Sequence, residues 1–181
     1  LFAAVMYIRM RFAEYSYGFA AVIALVHDVI IALGAVALAI YTGLVQVEIN
    51  LAMIAAFLTI IGYSLNDTIV IFDRVRENLP RMKGTLSEVL DVSINQTLSR
   101  TLLTSLTTLI TVSLLFAFNA GTGNVIEGFS FALIIGIISG TYSTVFIASP
   151  ALHWFETRRM AKLDGAEKGE AKTPVSAGAS S

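Results

Sequence analysis

Apolar residues run along this chain in long blocks, not in the short stripes of a soluble helix. Crossing a hydrocarbon core takes about 20 mostly apolar residues. Four segments reach that length: 17–43, "YGFAAVIALVHDVIIALGAVALAIYTG"; 49–72, "INLAMIAAFLTIIGYSLNDTIVIF"; 99–118, "SRTLLTSLTTLITVSLLFAF"; and 128–152, "GFSFALIIGIISGTYSTVFIASPAL". A shorter apolar run over 1–11 ends in Arg9 and Arg11. A signal peptide carries its charge before the apolar run, not after it. The run therefore reads as the end of a truncated transmembrane helix, with more protein expected ahead of Leu1. The pattern predicts an all-α polytopic membrane helix bundle over 12–156, five spans in total with the truncated one.

The connections carry the polar residues. In the longest, "TLSEVLDVSINQ" places Leu86, Val89, Leu90 and Ile94 at helical spacing behind Thr85 and Glu88, which form a capping-box pattern. This predicts a short amphipathic helix over 85–97, lying on the membrane interface or packed on the bundle, separate from the span that follows. The stretch 157–181 ends in small, unpatterned polar residues and is expected to be a disordered tail.

Composition sharpens the class. Of 181 residues, 56 % are hydrophobic and 14 % charged, against about 25 % charged in soluble domains. The net charge of −1 gives no reason to expect a nucleic-acid partner. With no cysteine, and with His27 and His153 in different segments, neither disulfides nor a metal site is expected.

Charge also orients the chain. Arg9 and Arg11 follow the first run; Arg74, Arg76, Arg81, Lys83 and Arg100 lie between the third and fourth spans; Arg158, Arg159, Lys162, Lys168 and Lys172 follow the fifth. The other two connections, 44–48 and 119–127, hold Glu48 and Glu127 and no basic residue. By the positive-inside rule the basic connections, and with them the C-terminus, are cytoplasmic.

Three ionisable sites fall within or at the edge of spans: His27–Asp28, Asn66–Asp67 and Arg100. Such residues are costly in lipid and usually face a bundle interior. Asp67 lies six residues before Asp73, about 9 Å into the membrane. Burial disfavours a charged carboxylate and a nearby guanidinium favours it. An aspartate held between the two can load and release a proton, and Arg100 is the natural countercharge. The structural alternatives are a neutral Asp67 bonded to a neighbouring helix and an Arg100 that snorkels to lipid phosphate. His27–Asp28, with Thr104, could form a second relay; a hydrogen bond that fixes helix packing is the favoured reading of His27–Asp28. Gly62, Gly136 and Gly140 are expected at close helix–helix contacts.

The stretch "TIIGYSLNDTIVIFDRVREN" resembles the signature of the SecF branch of the SecD/SecF protein-export family, of the RND superfamily. "VIALVHDVIIALG", "INQTLSRTLLTSLTTL" and the last span resemble its flanking segments, so the likeness covers about residues 1–155 in order. It implies an RND-type transmembrane half with five of six helices present, paired with SecD about a pseudo-two-fold axis. It implies a proton relay at Asp67 and Arg100, with Asn66 positioned to orient the carboxyl. It further implies work with the SecYEG translocon, YajC and a translocating preprotein in the bacterial inner membrane. The proton-motive force would promote late steps of export, with no cofactor and no enzymatic step. Two other readings stay open: a proton-driven exporter of small molecules or lipids, and a membrane scaffold without transport.

Overall fold

The computed structural model describes residues 15–43, 45 and 47–170, with backbone only for 162–170. The truncated helix expected over 1–11 lies outside the described residues. The described chain is helical: α1 Tyr15–Thr42, α2 Leu51–Asn78, α3 Leu86–Asn119 and α4 Val125–Ser143, then a π turn over Thr144–Ala148 and α5 Ser149–Glu170. Four stretches are long and apolar enough to cross a membrane: α1, α2, α3 and the continuous Val125–Ala161.

Local chemistry sets the boundaries. Gly43, at φ 67°, takes the left-handed turn that ends α1. Asn50 caps α2, its side chain accepting from Met53 N at 3.2 Å. Thr85 and Glu88 form a reciprocal capping box at the start of α3. Asn124 caps α4, accepting from Glu127 N at 3.0 Å. The Glu127 carboxylate ties down the preceding turn by accepting from Gly121 N at 3.0 Å and Gly123 N at 2.9 Å.

Two expectations about elements change. The amphipathic helix expected over 85–97 is not separate from the span over 99–118: both belong to α3, 34 residues without a break. No glycine or proline interrupts residues 86–119, so nothing stops the backbone ladder where the side chains change character. Similarly, the stretch expected to be disordered from 157 continues as helix to Glu170. Leu152 and Glu156 are buried and hold its first turns on the bundle, and residues such as Arg158, Met160, Ala161, Lys162 and Leu163 favour helix. Residues 171–181 lie outside the described residues.

α4 is the central helix, packed against α1, α2 and α3. Its small residues allow this. A Cβ on Gly136 would collide with the Ile60 side chain, and one on Gly140 would stand 3.2 Å from Ser64 Cβ. Gly62 does not share this role: it is exposed, with nothing within 4 Å of where its Cβ would be. It lies two residues from both Ile60 and Ser64, about 200° around the helix from the face that meets α4.

The core has two apolar layers. One, toward the basic end, includes Tyr17, Leu25, Phe72, Val75, Val89 and Leu152. The other, toward the opposite end, includes Val36, Met53, Ile60, Val112, Leu133 and Ile137. The outer surface is lined with large apolar side chains such as Phe19, Ile30, Leu38, Leu58, Leu103 and Phe146. Exposure on this scale fits a lipid or partner surface, not water.

Candidate functional site

Between the two apolar layers sits a buried polar one. Asp28, at the middle of α1, is 0 % exposed. Its Oδ2 accepts from Ser64 Oγ of α2 at 2.6 Å and from Ser143 Oγ of α4 at 2.7 Å. Its Oδ1 accepts from Ser139 Oγ of α4 at 2.8 Å and lies 3.2 Å from His27 Nδ1. All three serine hydroxyls point their hydrogens at the carboxyl. Three helices are thereby joined at one side chain.

Asp67 lies three residues beyond Ser64 on α2 and is 3 % exposed. Its Oδ2 accepts from Ser105 Oγ of α3 at 3.5 Å. That hydroxyl in turn accepts from Tyr63 OH at 3.4 Å and lies 2.8 Å from Thr141 Oγ1 of α4. The next residue, Thr68, stands 3.4 Å from Thr144 in the π turn, oxygen to oxygen. The π turn falls just before Pro150, which has no N–H to give, and Ser149 Oγ donates to Thr144 O at 3.1 Å. Wide turns of this kind are common at functional sites.

The remaining expected residues lie on the outer surface. Arg100 is exposed and lines a cleft of about 230 Å³ with Val70, Asp73, Arg74, Glu77, Gln96 and Thr97. It is close enough for its charge to act on Asp67, yet among the described residues no ion pair joins the two. Asn66 is exposed. Thr104 is exposed too, its hydroxyl bonded to its own helix at Arg100 O, 3.1 Å, and Thr101 O, 3.0 Å. The structure therefore brings Asp28 and Asp67 into the interior within one turn of each other on α2's contacts, and leaves Arg100, Asn66 and Thr104 facing outward.

The C-terminal domain family described as protein export membrane protein SecD/SecF matches residues 1–158. The chain belongs to this SecD/SecF family. It is 51 % identical over 162 residues to the protein translocase subunit SecF of Desulfurispirillum indicum, covering 87 % of this chain and 48 % of that protein. It is 50 % identical to the SecF of Rhodothermus marinus, covering 87 % of this chain and 50 % of that one. The chain thus spans about half the length of the curated relatives it matches. Among solved structures it resembles SecDF from Thermus thermophilus, a translocon-associated membrane protein, with a TM-score of 0.73 and 40 % identity over 84 % of this chain and 20 % of that one. A SecDF crystal structure in the super-membrane-facing form gives a TM-score of 0.74 and 39 % identity over 90 % of this chain and 21 % of that chain.

Sequence reasoning marked both aspartates but missed the residue that reaches each of them from another helix. Those residues are Ser64, Ser139 and Ser143 at Asp28 and Ser105 at Asp67. The available signal was register: Ser139 and Ser143 are four apart on α4 and straddle Gly140, the residue that lets α2 approach.

Proposed function

We propose that this chain is the membrane part of a SecF-type subunit, which uses the proton-motive force together with SecD to promote late steps of preprotein export. Family membership and the SecF relatives support the subunit assignment. The observation that carries the mechanism is a buried Asp67, reached by Ser105, with the charge of an exposed Arg100 close enough to act on it.

In this reading the face bearing Asn66, Arg100 and Thr104 is covered by the membrane half of SecD. Covering it excludes water and lipid headgroups, and the Arg100 charge then acts on Asp67 across a less polar medium, where electrostatic effects are stronger. Proton binding at Asp67 removes its negative charge and with it the attraction to Arg100. The two protonation states then favour different placements of α2 against α3, which is the differential a proton needs to shift a conformational equilibrium. The shift would be passed to parts of the protein outside the membrane and so to a preprotein emerging from the SecYEG translocon, with YajC as an accessory partner. The placement of Lys and Arg residues supports an inner-membrane protein with a cytoplasmic C-terminus. No bond-making step and no cofactor is needed; the proton gradient supplies the energy.

The test is preprotein translocation in vesicles that hold the complete translocase, with and without a proton gradient, comparing wild type with Asp67→Asn. Loss of the gradient-dependent stimulation, with normal assembly, is expected. Full stimulation by Asp67→Asn would overturn the relay.

A further inference from the structure

We propose that the wide π turn over Thr144–Ala148 is a joint on which α5 swings toward α3 across an open cleft. The turn is written into the order of the residues. Gly140, Thr144, Ala148, Leu152 and Glu156 are all buried, at intervals of four. An α-helix turns about 100° per residue, so plain helix from 140 to 156 would carry this face about 160° round. One extra residue in the turn cuts the drift to about 60° and keeps the face on the bundle. Pro150 adds a second interruption, since it has no N–H to give to Phe146 O, four residues back.

The two sides of the turn are held differently. Before it, Ser139 and Ser143 of α4 donate to Asp28 of α1 at 2.8 and 2.7 Å, directed bonds that fix α4 in place. After it, Ser149 donates to Thr144 O and Thr157 to His153 O, both within the same continuous stretch. α5 meets α1 through the Phe155 and Phe19 rings, 6.0 Å apart, and apolar contact has no preferred direction. Toward α3, α5 borders a cleft of about 370 Å³, lined by Leu90 and Ile94 of α3, Val145 and Phe146 of the turn, and Pro150 and His153 of α5. A second cleft of about 590 Å³ runs on along α3 from Ile94 to Leu109, with Val145 and Phe146 again in its wall. The Phe146 ring is 62 % exposed. α5 therefore has room to move on the α3 side, and the bonds that hold α4 stay intact as it does.

The joint meets α2 at its first residue. Thr144 Oγ1 lies 3.4 Å from Thr68 Oγ1, and Thr68 follows Asp67 on α2. A shift of α2 against α3 is thus felt at the turn first. α5 then carries the motion to its basic end, at Arg158 and Arg159. The inference rests on the proton-coupled reading above only for what drives the swing. It adds the joint through which a movement beside Asp67 leaves the middle of the bundle.

The experiment measures the distance between spin labels at Ser87→Cys on α3 and Met160→Cys on α5, both exposed positions. It uses the full-length complex in lipid vesicles with all other cysteines removed; this chain has none. No gradient is applied, so the swing and the relay fail separately: full translocation by Asp67→Asn overturns the relay and leaves the distances to be read on their own. Wild type is expected to give two distances, for the cleft open and closed. Deletion of Phe146 takes out the extra residue; it is expected to leave one distance and to lose the gradient-dependent stimulation of translocation. Phe146→Ala keeps the residue count and should keep both distances. Pro150→Ala returns the missing N–H at an exposed position and should shift the populations toward one distance, which decides the matter where the deletion protein fails to assemble. A single distance in wild type, unchanged populations in Pro150→Ala, or a deletion protein with full stimulation overturns the proposal.

Discussion

Ser105 on α3 donates to the Asp67 carboxylate on α2 across 3.5 Å. The bond is long, but Ser105 is the single described side chain that reaches Asp67 from another helix, and Thr141 and Tyr63 converge on the same hydroxyl. A change in the charge of Asp67 is therefore transmitted first to Ser105. Replacing Ser105 with Ala removes one hydrogen bond to a carboxylate and leaves a small apolar group in its place. Gradient-stimulated translocation should fall roughly threefold to tenfold, the counterpart of about 1 kcal/mol for one such bond. Thr107→Ala, on the outer face of the same helix and bonded to its own Leu103 carbonyl, should keep wild-type stimulation. Equal rates for wild type and Ser105→Ala in the vesicle assay would show that Asp67 does not work through α3.

The two glycine faces predict opposite responses. At Gly136 an added methyl meets Ile60, so Gly136→Ala should destabilise the purified complex by about 1–3 kcal/mol, the usual cost of overpacking. Ile60→Val combined with it should recover part of the loss. Gly62→Ala meets nothing and replaces a poor helix former, so it should be neutral or stabilising by up to about 1 kcal/mol. Thermal unfolding in a mild detergent measures both. A Gly62→Ala variant that unfolds earlier than Gly136→Ala would mean that the packing face of α2 is assigned the wrong way round.

How much was legible in the sequence follows from the range of each interaction. Span existence depends on local composition, and the apolar blocks showed it. Asp67 was conspicuous because a charge stands out against its own neighbours. The Asp28 cluster was not legible as a cluster: Ser64 and Ser143 lie 36 and 115 residues from the carboxylate they serve. A serine in an apolar helix looks the same whether it bonds to its own backbone, as Ser130 does at Ile126 O, or to another helix. Only the rotation of each helix about its axis decides between these, and the rotation is set by where small residues let neighbours approach. Gly62 was misplaced for the same reason: its size was visible and its direction was not. The single long α3 was hidden by chemistry that changes along it, from "SINQTLSR" to "TLLTSLTTLITV". A membrane boundary sorts side chains, whereas a helix ends only when its backbone bonds do.

The continuity of α3 gives a direct test. If residues 86–98 formed a separate interfacial helix joined to the span by a flexible link, proline at the junction would cost little. In a continuous helix it removes an intrahelical bond and drives the ring against the carbonyl four residues back, at about 3 kcal/mol or more. Ser99 is exposed, so the cost of Ser99→Pro reports on the backbone and not on lost packing. Ser99→Pro should lower stability by that amount and raise amide hydrogen exchange from 95 to 103, while Ser99→Ala should match wild type. The break should also weaken gradient stimulation, because α3 carries both Asn78's partner Ser93, at 2.9 Å, and Asp67's partner Ser105. Twelve residues of helix, about 18 Å, connect these two contacts with α2, and a rigid connection keeps them in step. A Ser99→Pro protein with wild-type stability and exchange would show that α3 is two helices in the membrane, with the proton site and the charged end free to move separately.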